Sequence, residues 1–141
     1  PLDYEEMVQV YRVNALGPLR MTQALLPLLE RGRLKRLVNL SSEAGSMQTA
    51  LYGGRDNRYG YRMSKAALNM QSAVLQNDLR DTGIRVIAVD PGYMRTWMHG
   101  HRNVDATDEP EDVAARLATL VLERPAPDHL YVHPDGTSAP W

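Results

Sequence analysis

Hydrophobic and polar positions along the 141 residues switch between two periods, and the switches predict the order α-β-α-β-α-β. From Asp3 to Leu29 apolar residues recur at helical spacing, at Met7, Val10, Tyr11, Leu25 and Leu29, and Gly32 follows as a stop. Asp3 and Glu6 stand three apart at its start, the spacing of a helix capping pair. A second helix is predicted over Tyr61 to Leu79, with Leu68, Ser72, Leu75 and Leu79 on one stripe and Gly83 after it. A third runs from Glu111 to Glu123, with Pro110 near its first turn and Val113, Leu117, Leu120 and Val121 inward. Between the helices lie short runs without a polar face, Arg36 to Leu40, Ile84 to Val89 and Leu130 to Val132, which read as buried parallel strands. Residues 93–107 read as an irregular connection, and Gln48 to Gly60 as a solvated surface loop. Right-handed crossovers then place the two long helices on one face of a three-stranded parallel sheet and the short helix on the other. Residues 1–141 show no internal repeat, low-complexity tract or linker, and read as a single domain.

The candidate chemistry sits where this pattern is interrupted. Lys65 follows Tyr61 by four residues, so on a helix the ammonium can lie on the same face as the phenol. A free phenol has a pKa of about 10, and a nearby cation favours its anion, which makes Tyr61 a candidate acid/base. The same spacing also fits an exposed Tyr and a solvated Lys. The strand through Val38 empties into Ser41-Ser42-Glu43-Ala44-Gly45-Ser46, which puts hydroxyls at the carboxyl end of a strand, where open α/β sheets place their sites. The strand through Val86 ends in Asp90-Pro91-Gly92, a sharp turn that lets backbone approach a ligand. Asn14 lies in a helical pattern with Gly17 and Pro18 just after it, an unfavourable set for an uninterrupted helix. Tyr93, Met94, Trp97 and Met98 read equally as pocket lining or as a patch packing the loop onto the domain.

Together these residues resemble the short-chain dehydrogenase/reductase family over essentially the whole chain. Val13-Asn14-Ala15-Leu16-Gly17 is similar to its Asn-bearing helix, Val38-Asn39-Leu40-Ser41-Ser42 to its serine strand, Tyr61 to Lys65 to its catalytic helix, and Pro91-Gly92 through Thr96 to its cofactor loop. The stretch Tyr61 to Met70 and the ending Asp135 to Trp141 resemble the C-factor and sniffer-type carbonyl reductase branch. The resemblance implies carbonyl reduction or alcohol oxidation with NAD or NADP. Tyr61 would exchange the proton at the substrate oxygen, and Ser42, the second Ser of its pair, would hold that oxygen. Lys65 would depress the phenol pKa and bind the nicotinamide ribose, Asn14 would hold a water linking Lys65 to solvent, and Pro91, Gly92 and Thr96 would border the cofactor. The long segment between Ser42 and Tyr61 departs from the pattern, as does the lack of the family's glycine-rich turn. Gly53-Gly54 is the only Gly pair and has no strand leading into it. What the residues match is therefore the nicotinamide and substrate half of a Rossmann-like fold, with residue 1 falling where the fifth helix would begin.

Composition narrows the classes further. A net charge of −1 argues against a nucleic-acid or anionic-membrane footprint. With no Cys, thiol nucleophiles and thiolate metal sites are excluded. His99 and His101 lie near Asp105, but no third ligand is spaced for a metal. No apolar run approaches a membrane span and no signal-peptide pattern occurs, so a cytoplasmic location is the expectation. Two classes of function follow. The first is an NAD(P)-linked oxidoreductase acting on a small carbonyl or alcohol, with weak dinucleotide binding and weak or no activity by this chain alone unless the missing dinucleotide half is supplied. The second is a non-catalytic or repurposed half-fold that oligomerises or binds a partner. Either way the outer edge of the strand through Val38 lacks a neighbour, and self-association is expected through that edge or through the two long helices, a common interface in the family.

Overall fold

The computed structural model describes residues 1–53, 57–98, 100–123 and 125–141. Its first element is one helical rod in three parts: α1 (Tyr4–Tyr11), a π-helical turn (Arg12–Leu16) and α2 (Gly17–Arg31). The Asp3 carboxylate accepts from the Glu6 amide at 3.0 Å, so the expected cap forms on its Asp side. The misfit around Asn14 does not break the rod. In a regular helix the Asn14 carbonyl would accept from residue 18, but Pro18 has no N–H to give, so that bond is lost in any case. The backbone widens instead, and the Gly17 amide reaches back five residues to the Arg12 carbonyl.

Strands β1 (Arg36–Leu40), β2 (Arg85–Val89) and β3 (Tyr131–Val132) form one parallel sheet in the order β1-β2-β3. Leu37 lies opposite Val86 and Ala88 opposite Tyr131. Leu37, Val86 and Leu130 meet Leu26 and Leu29 of α2 and Leu75 and Leu79 at the end of α4 (Tyr59–Asp78). On the opposite face Val38, Ile87, Val89 and Val132 meet Leu117 of α5 (Pro110–Ala118) and Leu120 in the π-helical turn after it (Thr119–Glu123). Val86, Ile87 and Val89 are fully buried, each stabilising the fold by about 1.5–3 kcal/mol relative to exposure. The arrangement is the expected one, two long helices on one face and a short one on the other.

One expectation needs correction. The segment Gln48 to Gly60 is not all loop: Met47–Tyr52 forms a short helix, α3, capped by the Ser46 hydroxyl accepting from the Thr49 amide at 3.0 Å. The Gln48 amide is further held by the Trp141 carbonyl at 2.9 Å, a partner far along the chain. Gly54, Arg55 and Asp56 lie outside the described residues. The cations of the turn after α2 bond carbonyls at three helix ends. Arg31 bonds the Pro27 carbonyl of its own helix, Lys35 the Thr82 carbonyl after α4, and Arg36 the Leu120 and Val121 carbonyls after α5. The turn lies where the sheet brings three helix ends together, and each cation satisfies carbonyls left over there.

Among the described residues no strand pairs with the outer edge of β1. An open space of about 840 Å³ lies beside it, walled by Met21, Leu25 and Leu28 of α2 and by Leu34 and Leu40. Among the described residues no helix is long and apolar enough to cross a membrane.

Candidate active site

The site is assembled where β1 and β2 end. The Ser41 amide donates to the Val89 carbonyl at 2.7 Å, extending the sheet one residue past β1. Side chains alternate along an extended chain, so Ser41 and Ser42 face opposite ways. Ser41 is buried and its hydroxyl donates to Asn69 Oδ1 of α4 at 2.5 Å. Ser42 faces the open side, and its Oγ accepts from the Ala44 amide at 3.2 Å, starting a tight turn over Glu43–Gly45. That turn sits directly on α4. A Cβ on Gly45 would lie 2.8 Å from the Lys65 carbonyl carbon, and Asn69 Nδ2 donates to the Gly45 carbonyl at 3.3 Å.

Helix α4 carries Tyr61 and Lys65 on one face, as their spacing predicts. Lys65 Nζ lies 5.8 Å from the centroid of the Tyr61 ring and donates to the Leu40 carbonyl at 2.8 Å. The ammonium is half-buried, and its lost hydration holds the Lys65 pKa below the usual lysine value. Past β2, buried Asp90 accepts from the Gly92 amide through Oδ1 at 3.1 Å, while its Oδ2 lies 3.6 Å from His133 Nδ1. Gly92 has φ +80°, and a Cβ there would meet nothing within 4 Å, so its backbone faces open space.

Ser42, Tyr61, Lys65, Pro91, Gly92 and Thr96 line a single cavity of about 380 Å³. Tyr93, Met94 and Met98 also line it, whereas Trp97 does not, and it is 69% exposed. Asn14 lies elsewhere. It borders an apolar space of about 480 Å³ that shares Arg58, Tyr61 and Met98 with the cavity holding Ser42, and with Lys65 it also lines the open space beside β1. Its amide donates to Ser64 Oγ at 3.1 Å, and Ser64 Oγ donates to the Tyr61 carbonyl at 2.7 Å. Asn14 thus reaches the Tyr61 turn through Ser64.

Three residues of this constellation escape a reading of the sequence. Ser64 extends the buried stripe of Leu68 and Ser72 by one turn, a signal present in the spacing. Asn69, holding Ser41 and Gly45, has no such signal. Nor has Tyr131, whose hydroxyl donates to the Ser42 carbonyl at 2.7 Å. Among the described residues no group of three His, Asp or Glu is placed to hold a metal, and His99 lies outside them.

The profile of the short chain dehydrogenase family matches residues 1–107. The chain is 38% identical to C-signal of Myxococcus xanthus, across 99% of this chain and 81% of that one. It is 33% identical to 1-hydroxy-2-glutathionyl-2-methyl-3-butene dehydrogenase of a Rhodococcus species, across 99% of this chain and 61% of the relative. In structure it is similar to the NADPH-bound carbonyl reductase from chicken fatty liver, with TM-score 0.86 at 26% identity, covering 59% of that chain. It is similar to carbonyl reductase Sniffer of D. melanogaster, with TM-score 0.85 at 25% identity, again covering 59% of that chain. The chain thus spans about three fifths of the length of these solved relatives.

Proposed function

Because the chain belongs to the short-chain dehydrogenase family, we propose that it forms the nicotinamide and substrate end of an NAD(P)-dependent oxidoreductase acting on a carbonyl or alcohol. The observation that carries this reading is the single cavity shared by Ser42, Tyr61, Lys65, Pro91, Gly92 and Thr96. Its residues fit the nicotinamide ribose: a cation and a phenol on one wall, and on the other a glycine whose backbone is open to close approach. Lys65, Tyr61, Pro91, Gly92 and Thr96 would hold that end of the cofactor. The nicotinamide, when bound, supplies or accepts the hydride.

The protein's own groups handle the oxygen and its proton. Ser42 Oγ already accepts from the Ala44 amide, which leaves its O–H to donate to the substrate oxygen. Tyr61 gives that oxygen its proton in reduction and takes it in oxidation. Lys65, held by the Leu40 carbonyl, presents its positive charge beside the Tyr61 ring. The Asn14 carbonyl, deprived of an N–H by Pro18, is the acceptor for a water that links Lys65 to solvent. Carbonyl reduction followed through NADH or NADPH consumption tests these roles in the complete polypeptide. Tyr61→Phe keeps the ring but removes the proton, and turnover should fall by roughly 10²–10⁴-fold. Lys65→Met should lower the rate and move the pH profile. Near-normal reduction by Tyr61→Phe would overturn the assignment.

Self-association belongs to the same reading. Tyr4, Val8 and Tyr11 of α1 and Met63, Met70 and Val74 of α4 are exposed large hydrophobics on neighbouring helices, and the open edge of β1 is a second candidate surface.

A further inference from the structure

We propose that Tyr131 is a positioning residue, setting the attitude of Ser42 from behind and tying that serine to the segment 138–141; this rests on the role proposed for Ser42. Tyr131 is 1% exposed, yet its hydroxyl is not in an apolar core. It donates to the Ser42 carbonyl at 2.7 Å. It also lies close enough to Asn69 and Ser41 to share their hydrogen bonding, although Tyr131 and Ser42 are 89 residues apart in the chain. The bond is therefore a product of the sheet register, which sets Tyr131 opposite Ala88 in the strand beside β1.

The geometry makes the Ser42 backbone a three-point mount. Ser41 is fastened to the sheet through its amide and to α4 through its hydroxyl. The Gly45 end of the turn is fastened to α4 by Asn69. Ser42 itself, between these points, is held at its carbonyl by the Gly45 amide within the turn, at 2.8 Å, and by Tyr131 from outside it. Remove the Tyr131 bond and the Ser42 carbonyl keeps only the Gly45 amide of its own turn, so the turn loses its tie to β3 and can tilt between its two fastened ends, which shifts the hydroxyl relative to Tyr61. Misplacement of a reacting group by about 1 Å costs on the order of 10²-fold in rate.

Tyr131 is in turn seated by residues further on. The Ala139 amide donates to the Tyr131 carbonyl at 2.9 Å, and the Trp141 ring packs on the Tyr131 ring with centroids 5.2 Å apart. The Trp141 carbonyl accepts from the Gln48 amide, at the start of the helix after the serine turn. Segment 138–141 thus touches the serine turn twice, through Tyr131 and through Gln48.

The test is a double-mutant cycle in the complete polypeptide, with single-turnover carbonyl reduction expressed per folded protein. Tyr131→Phe should lower the rate about 10-fold with substrate KM unchanged, because a serine that meets developing charge acts mainly in the transition state. In the Ser42→Ala background Tyr131→Phe should change the rate less than about 2-fold, since its effect passes through Ser42. Trp141→Ala, which leaves the Tyr131 hydroxyl in place, should give a smaller loss that also vanishes in the Ser42→Ala background. It keeps the test decisive if Tyr131→Phe does not fold. An equal loss in both backgrounds, or none in the wild-type background, would overturn the proposal. A Ser42→Ala variant with an undiminished rate would instead sink the role given to Ser42, a separate failure.

Discussion

The seat of the serine turn on α4 gives a prediction whose size can be worked from distances. Gly45 does not have a positive φ, so replacing it by Ala carries no backbone strain and acts through space alone. The added Cβ would sit 2.8 Å from the Lys65 carbonyl carbon and 2.9 Å from its oxygen. Ordinary carbon contacts are about 3.5–4.0 Å, so turn and helix must part by roughly 0.7 Å. Both contacts are backbone atoms of a long helix, so no side chain can swing aside to absorb the change. Overpacking of this kind costs about 1–3 kcal/mol. At about 3 °C per kcal/mol for a domain of this size, Tm should fall by about 3–9 °C. The displacement lies between Ser42 and the Tyr61–Lys65 pair, so it should also lower kcat by roughly 25-fold, in proportion to the 10²-fold per ångström expected of a misplaced group. Gly92→Ala is the control: its Cβ meets nothing, but φ +80° imposes about 1–2 kcal/mol of backbone strain. Thermal melts by circular dichroism and steady-state kinetics read both quantities. Unchanged Tm and kcat in Gly45→Ala would refute the close seating of the turn on α4.

Three further outcomes are expected. The 141-residue chain by itself contains no glycine-rich phosphate turn, so calorimetric titration with NADH or NADPH should give an affinity weaker than micromolar; a tighter value would reveal a phosphate site elsewhere in these residues. Light scattering at micromolar concentration should show a dimer or larger species, and a single monomer mass with a concentration-independent melt would exclude association through α1 and α4 or the β1 edge. Burial first, and the nearby Asp90 charge second, raise the Tyr131 pKa, so the folded chain keeps this proton to a higher pH than the unfolded chain does. The stability it contributes is fully present below the unfolded value of about 10 and is lost as pH rises through the folded value. Urea melts between about pH 9 and pH 11, the window around a free phenol, should therefore lose stability less steeply in Tyr131→Phe; an identical slope would remove Tyr131 from the alkaline transition.

The parts of the fold that were legible are those set by local repetition. The apolar runs through Val38 and Val86 and the stripe of Leu68, Ser72, Leu75 and Leu79 announce their elements because their apolar side chains join the core, although β1 is only half-buried and its Leu40 is exposed. Helix α3 was not legible, since six residues form no stable helix by propensity. Its Ser46 cap and the bond from Gln48 to the Trp141 carbonyl settle its conformation, and the second of these joins residues distant in sequence. The turn at Asn14 was legible as a misfit but not as a shape. Gly17 and Pro18 oppose a regular helix, yet only the packing of the rod against α4 and the sheet shows that widening is the way it continues.

The site divides along the same line. Tyr61 and Lys65 could be paired from sequence because four residues on a helix fix their separation wherever the helix lies. Ser42 and Gly92 could be placed near them because strands of one parallel sheet end on one side. The residues that hold these groups in position obey no such rule. Ser41 finds Asn69 across 28 positions and Ser42 finds Tyr131 across 89, and which side chains meet depends on the register of three strands and the depth at which α4 sits. Asn14 shows the consequence. A motif assigns it to the group around Tyr61, and its hydrogen bond through Ser64 does reach the Tyr61 carbonyl, but it does not line the cavity with Ser42 and meets Tyr61 and Lys65 only in the neighbouring spaces. Its effect on a substrate must therefore pass through Tyr61 or Lys65.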